Sequence, residues 1–370
     1  MSRPSKRKKL LYIVESMGGG VFTYIVSMAN ELVKTYDLYV AYGLRPETPV
    51  SYESYFQPAV HLIRVKNFTR QINPIQDVKA FWEIRRIGKM VEPDVIHLHS
   101  SKAGVLGRLA FNGRKIPLFY TPHGYSFLMN NCSRSKRLFY RGIEVLCARR
   151  RCVTLSCSAG EHQESMKMTK WVEQVDSGIE LEDLKRILSS EKDIPHPFTV
   201  FTLGRIDEQK NPDLFNEIAK SMPDTQFLWI GDGHLRAHLN APNIQVTGWM
   251  ERREALRRSF HADVFVLTSL WEGLPIALLE AMYMKKLCIV SNSIGNRDVI
   301  HQGENGFVCN SVSDYVTAIN LAKNGEGAEK IERAYHEILN HYNIKAMAEQ
   351  YTNLYETYWN KIHGAYNSPF

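Results

Sequence analysis

Short apolar runs rich in β-branched and aromatic residues alternate along this chain with longer segments whose apolar positions recur every three to four residues. A continuous short apolar run suits a strand buried on both faces, and the wider spacing suits a helix lying against it. Residues 9–15, 38–42, 61–65, 94–99, 118–121 and 152–158 read as strands, and 22–33 and 78–91 as helices, the latter stopped by Pro93. Residues 172–180 read as a last strand and its exit turn. The polar stretch 181–197, which ends in Pro195 and Pro197, reads as a linker. The pattern then restarts, with strands at 198–203, 263–268 and 287–291, a strand and glycine turn at 227–233, and helices at 251–260, 276–284 and 342–362. Such alternation predicts the α/β class with parallel sheets, and 370 residues suit two domains.

Candidate chemistry gathers after the strand at 263–268. Gly273 and Pro275 interrupt the pattern there and an apolar helix begins, with Pro275 suited to its first turn. A loop ending on a helix N-terminus presents backbone N–H groups and the positive end of a dipole, which is a place for phosphate. Glu272 and Glu280 frame that place, the second about two turns, or ~10 Å, further along. Carboxylates accept hydrogen bonds from sugar hydroxyls, so acids at this separation suit a hexose and a ribose on either side of a diphosphate. Gly204, Arg205 and Lys210 lie just past the strand at 198–203, where two cations can neutralise a diphosphate leaving group. On charge alone such a pair is as often an ordinary surface feature.

Nearer the start, the strand at 9–15 runs into Gly18, Gly19 and Gly20 and then a helix. That is the opening of a Rossmann-like unit, without the usual G-x-G-x-x-G spacing. His97 and His99 share one face of a strand; with no third ligand evident, a strand-end role is favoured over a metal. His123 lies just past the strand at 118–121, where open α/β sheets place ligands, and a turn-capping role fits it equally well.

The stretch 268–280, with its E-x7-E spacing around Gly-Leu-Pro, resembles the signature of retaining glycosyltransferases of family 4. Gly204, Arg205 and Lys210, the pair His123-Gly124, the turn at 231–233 and a closing strand at 305–308 extend the match over nearly the whole chain. The resemblance implies the GT-B architecture: two Rossmann-like, doubly wound parallel-sheet domains facing a cleft. The N-terminal domain, 1–180, would take the acceptor and 198–341 the nucleotide sugar, with a C-terminal helix in 342–370 crossing back to the first domain. It implies catalytic roles for Glu272, His123, Arg205 and Lys210: Glu272 and His123 on the transferred sugar, the two cations on the diphosphate. Glu280 would hold the ribose, and Gly204, Gly273, Leu274 and Pro275 would lie along the diphosphate. Gly18, Gly19 and Gly20 would lie near the donor phosphates and the acceptor. Trp249 and Met250 stand where the family holds the base, mostly through backbone groups. Two departures stand out: 177–180 reads Ser-Gly-Ile-Glu for the usual Asn-Gly-Ile-Asp, and 295–298 reads Gly-Asn-Arg-Asp for Gly-Gly-x-x-Glu.

The implied activity is retaining transfer from a UDP-hexose or UDP-N-acetylhexosamine to a saccharide acceptor, lipid-linked, in bacterial surface polysaccharide synthesis. No D-x-D pair suggests a metal, so no metal and no cofactor beyond the nucleotide-sugar co-substrate are expected. Other readings are an epimerase or phosphorylase on the same fold, and a basic nucleic-acid-binding protein without catalysis.

Charge narrows the choice. The net charge is +7, but residues 1–175 hold 27 Lys and Arg against 13 Asp and Glu, whereas the rest of the chain is acidic. The first half therefore suits an anionic partner, such as a lipid pyrophosphate or an anionic membrane surface. Nucleic acid is disfavoured by the acidic second half and the lack of a recognisable nucleic-acid module. Residues 134–151 mix seven basic residues with Leu138, Phe139 and Leu146; as a helix they suit a membrane surface, and an ordinary surface helix with one buried face is the simpler reading. Arg3, Lys6, Arg7, Lys8 and Lys9 run straight into the first strand without an apolar signal core, and no apolar run approaches the ~20 residues that cross a bilayer. The expected location is cytoplasmic, peripheral on the inner membrane face. The six cysteines, Cys132, Cys147, Cys152, Cys157, Cys288 and Cys309, form no C-x-x-C and read as reduced core residues.

Overall fold

The computed structural model describes residues 7–69, 71–128, 133–175, 177–192 and 194–364, so Arg3, Lys6 and Cys132 lie outside the described residues. The chain forms two compact units, one from its first part with Arg134–Ser177 and the segment from Ile344 onward, the other from Gly178–Asn343.

The first unit runs β1 (Lys9–Val14), α1 (Gly19–Leu32), β2 (Asp37–Tyr42), β3 (His61–Arg64), α2 (Pro74–Val91), β4 (Val95–His99), α3 (Ser101–Ala110), β5 (Leu118–Thr121), α4 (Arg134–Ala148), β6 (Val153–Ser156), α5 (Ala159–Met166) and β7 (Val172–Gln174). Its seven-stranded sheet has the order β3-β2-β1-β4-β5-β6-β7, and every pairing is parallel. The second unit runs α6 (Leu181–Leu188), β8 (Thr199–Leu203), α7 (Pro212–Lys220), β9 (Gln226–Ile230), β10 (Ile244–Val246), α8 (Arg252–Phe260), β11 (Val264–Leu267), α9 (Ile276–Tyr283), β12 (Leu287–Ser291), α10 (Asn296–Val299), β13 (Phe307–Cys309), α11 (Val312–Lys323) and α12 (Ala328–His341). Its six strands are also parallel, in the order β10-β9-β8-β11-β12-β13. Both sheets are parallel, as the strand–helix alternation predicts, and doubly wound, as the resemblance implies. The central strands β1, β4, β11 and β12 are buried along nearly their whole length, which is why they read as unbroken apolar runs rather than alternations.

The last helix, α13 (Ile344–His363), packs on α1 in the first unit. Its Tyr351 hydroxyl lies 2.6 Å from that of Tyr24, and its Tyr355 hydroxyl lies 3.3 Å from that of Tyr12, all four rings being buried. Pairing hydroxyl with hydroxyl lets these large rings fill the core without orphaning a polar atom.

Three readings need correction. The stretch 181–197 is not simply a linker. It begins with α6, whose Leu184 and Ile187 are buried in the core of the second unit. The three-residue spacing of those side chains is a helical signal that the flanking charges obscure, and each contributes about 1.5–3 kcal/mol by burial. Helix α1 starts at Gly19 rather than 22, because the Phe22 N–H already donates to Gly18 O at 3.3 Å. Pro275 is extended, with ψ 107°, and caps α9 from outside rather than occupying its first turn.

Candidate functional site

In the second unit the strand order reverses at β8, whose neighbours are β9 and β11. Loops leaving adjacent strands on either side of such a reversal diverge and leave a crevice at the strand ends. The loop after β8 carries Gly204, Arg205 and Lys210; the loop after β11 carries Glu272, Gly273, Leu274 and Pro275. The two loops are tied together: Leu270 N–H donates to Gln209 O at 2.8 Å, and Thr268 Oγ1 donates to Lys210 O at 2.7 Å. Neighbouring loops close in on them through glycines. A Cβ on Gly231 would sit 2.1 Å from Gly204 O, and one on Gly295 would sit 2.3 Å from Gly273 O, both at positive φ.

Within this frame Lys210 Nζ lies 2.6 Å from Glu272 Oε1, and Gln209 Nε2 donates to Glu272 Oε2 at 3.1 Å. Glu272 is buried, and both of its oxygens are satisfied by the β8 loop. Arg205 is partly exposed, with Nη2 3.4 Å from Asp207 Oδ2. Helix α9 has no side-chain cap and no acidic residue in its first turn, so the positive end of its dipole is not offset there. Lys210 and an uncapped helix start thus meet at one carboxylate, with Arg205 on the same loop as the lysine, an arrangement suited to anionic oxygens on one side and hydroxyls on the other.

Glu280 lies only four residues into α9, about 6 Å along its axis, not two turns from the helix start. It is buried, and its Oε1 accepts from Arg252 Nη2 at 2.6 Å, while Arg252 Nη1 donates to Asp183 Oδ2 at 2.8 Å. Burial opposes the charge on Arg252, and Glu280 and Asp183 more than offset it, so its pKa is raised. Arg252 and Asp183 escaped the sequence reading, because nothing in a string marks an arginine 28 positions upstream as the partner of a motif glutamate. Trp249 is exposed and Met250 half-buried, after Gly248 at φ 80°.

In the first unit the order reverses at β1, and Gly18, Gly19 and Gly20 follow that strand into α1. Gly18 is the extended cap residue and Gly19 has φ 55°, so the backbone needs glycine at the turn itself. The neighbouring strand β4 carries His97 and His99. Both are fully buried among aromatic rings, His99 as the last residue of the strand. His97 Nδ1 lies 2.6 Å from Tyr355 Oη and its Nε2 2.8 Å from Thr121 Oγ1. His99 Nδ1 lies 3.1 Å from Nε2 of His123, which is held at φ 56° just past β5. Burial pushes His123 down to about 3 and holds His97 and His99 well below their usual range, so all three rings are neutral near pH 7. Neutral rings donate through one nitrogen and accept through the other, so this chain fixes ring orientation rather than supplying charge. Sequence placed His123 near the strand ends; it gave no sign that His99 holds it.

Residues 18–182 match the family model described as Glycosyltransferase Family 4, and residues 185–338 the one described as Glycosyl transferases group 1. The chain belongs to glycosyltransferase family 4. A UDP-Gal:alpha-D-GlcNAc-diphosphoundecaprenol alpha-1,3-galactosyltransferase of Escherichia coli is 29% identical over 335 residues, covering 81% of this chain and 85% of its own. Sucrose-phosphate synthase from Thermosynechococcus elongatus superposes with a TM-score of 0.79 at 17% identity, over 95% of this chain and 99% of its own. HepE from Anabaena, solved with UDP and glucose, superposes with a TM-score of 0.75 at 15% identity, over 95% of this chain and 100% of its own. This member of family 4 is therefore a glycosyltransferase with the GT-B fold. Among the described residues no helix is long and apolar enough to cross a membrane.

Proposed function

We propose that this family 4 enzyme is a retaining transferase that moves a hexose or N-acetylhexosamine from a UDP-linked donor to a lipid-linked saccharide in bacterial surface polysaccharide assembly. The observation that carries the reading is the meeting of Lys210 with Glu272 beside the uncapped start of α9. Charge develops on the diphosphate as the sugar leaves, and Arg205, Lys210 and the N–H groups near Gly273, Leu274 and Pro275 are the donors that would stabilise it without a metal. Glu272 would accept hydrogen bonds from the sugar hydroxyls. Glu280, steadied by Arg252, would do the same for the ribose, and Trp249 and Met250 would lie along the base. His123 would contact the donor sugar, and Gly18, Gly19, Gly20 and Gly204 would leave room for phosphate. The donor and acceptor classes draw support from the Escherichia coli relative, named for a UDP-Gal donor and a diphosphoundecaprenol-linked sugar, and from UDP bound to HepE.

The test is turnover against a panel of UDP-sugars with a lipid-linked acceptor and no added metal. Glu272→Ala and Arg205→Ala should each lose about 100-fold or more in kcat, the scale of removing preorganised charge stabilisation, with the fold intact by circular dichroism. Parental turnover by both variants would show that the site lies elsewhere.

A further inference from the structure

Helices α2 and α4 bury one face each and leave apolar side chains on the other. In α2, Val78, Trp82 and Met90 are exposed, Trp82 by 60%. At about 100° per residue they share an arc of roughly 120° with Lys79, Arg86 and Lys89. The acids of α2 are both engaged elsewhere: Asp77 with Lys102 Nζ at 2.7 Å, and Glu83 with the backbone N–H of Lys66 at 2.9 Å.

In α4 the pattern repeats. Leu138, Phe139 and Leu146 are exposed, Phe139 by 56%, and fall in one arc of roughly 100°. Arg134, Arg141 and Lys136 flank that arc, and the single acid of the helix, Glu144, points inward to Arg108 Nη2 at 2.6 Å. Helix α4 is thus a surface helix with one buried face, and that face takes in its acid, Glu144, with Cys147, while Leu138, Phe139 and Leu146 stay outside. Helix α3 packs against both α2 and α4, so their outward faces adjoin, with exposed Leu109 on α3.

We propose that the face formed by α2, α3 and α4 docks on an anionic lipid bilayer. Trp82 and Phe139 enter the boundary between headgroups and acyl chains, and the flanking lysines and arginines meet lipid phosphates. The occupant follows from charge: the outward arcs carry cations and apolar groups without an acid, in the half of the chain that holds 27 Lys and Arg against 13 Asp and Glu. Apolar side chains ringed by cations gain from an anionic bilayer twice, by burial and by attraction, and neither a neutral surface nor free phosphate offers both. The inference deepens the lipid-linked acceptor reading and rests on it for its purpose, but its test uses neither donor nor acceptor.

The full chain is sedimented with vesicles of phosphatidylglycerol and phosphatidylethanolamine, and with vesicles of phosphatidylcholine alone. Binding is expected to the anionic vesicles and to be several-fold weaker in 0.5 M salt, as screening shortens the reach of the lysines and arginines. Trp82→Ser with Phe139→Ser should lower the partition constant about tenfold while UDP binding stays parental; Lys79→Gln, Arg86→Gln and Lys89→Gln together should remove most of the salt-sensitive part. No binding of the parent to anionic vesicles overturns the proposal, as does parental binding by the Trp82→Ser, Phe139→Ser protein. A parental dimer in sedimentation velocity that the same substitutions dissolve also overturns it, since a second copy would then cover this face. Loss of vesicle binding with transfer to a soluble acceptor unchanged leaves the catalytic reading standing.

Discussion

Lys210 and Glu272 lie 62 positions apart and follow different strands, yet they meet at 2.6 Å with little of either side chain exposed. Removing one partner strands the other. Lys210→Met should cost about 2 kcal/mol, between the values for surface and fully buried pairs. The double variant Lys210→Met, Glu272→Met should recover part of that loss. Urea unfolding of the four proteins measures the coupling; strict additivity would mean that the pair does not hold the two loops together.

The Arg252–Glu280 contact makes a different prediction for nucleotide binding. Glu280→Ala should weaken UDP binding about tenfold, or ~1.4 kcal/mol, by calorimetry. The effect should be on affinity and not on the turnover of bound donor. An unchanged UDP affinity would remove Glu280 from the ribose.

Arg108 and Glu144 form a buried pair at 2.6 Å, with Tyr120 Oη donating to the same carboxylate at 3.0 Å. Glu144→Ala leaves a guanidinium uncompensated beneath the outward face of α4 and should destabilise the first unit by about 3–5 kcal/mol. Glu144→Gln, which keeps an acceptor for Arg108 and offers Tyr120 Oη a donor to accept from, should cost less. Thermal melts of both variants decide this.

The histidine chain predicts a pH dependence. His97, His99 and His123 are held neutral in the folded protein, with His123 down to about 3, but titrate near the ordinary 6.5 when unfolded. Below 6.5 the unfolded chain therefore binds more protons, and stability falls as pH falls, over a window reaching down to about 3 for His123. Each such histidine contributes a slope of about 1.4 kcal/mol per pH unit. His123→Asn, tolerated at φ 56°, should reduce the slope between pH 6 and 4 by one histidine's share in urea titrations. An unchanged slope would show that His123 protonates freely in the folded state.

The sheets were legible because buried parallel strands have no polar face: the runs at 9–15 and 263–268 can lie only inside. Lys210 and Glu272 were legible singly, from a short spacing beside a glycine. That they pair with each other was not, because the strand order that joins their loops is a long-range property. The partners behind the motif, Arg252 and Asp183, are invisible for the same reason, as is the contact of His99 with His123. Periodicity also shows that a helix has two faces without saying which one meets the sheet. Hence the sequence marks α4 as a basic, apolar surface helix without saying that Leu138, Phe139 and Leu146 face outward, and nothing in α2 singles out the stripe around Trp82.

Helix α13 closes the first unit's core through Tyr351 and Tyr355, yet it begins 170 residues after that unit's last strand ends. A ribosome adding about 5–20 residues per second needs roughly 10–35 s to bridge that gap. Throughout that interval the nascent first unit has Tyr12, Tyr24 and His97 without the hydroxyls and rings that cover them. The unit translated first is thus completed last, and its newborn form offers a greasy, tyrosine-lined flank to chaperones until the whole second unit has emerged.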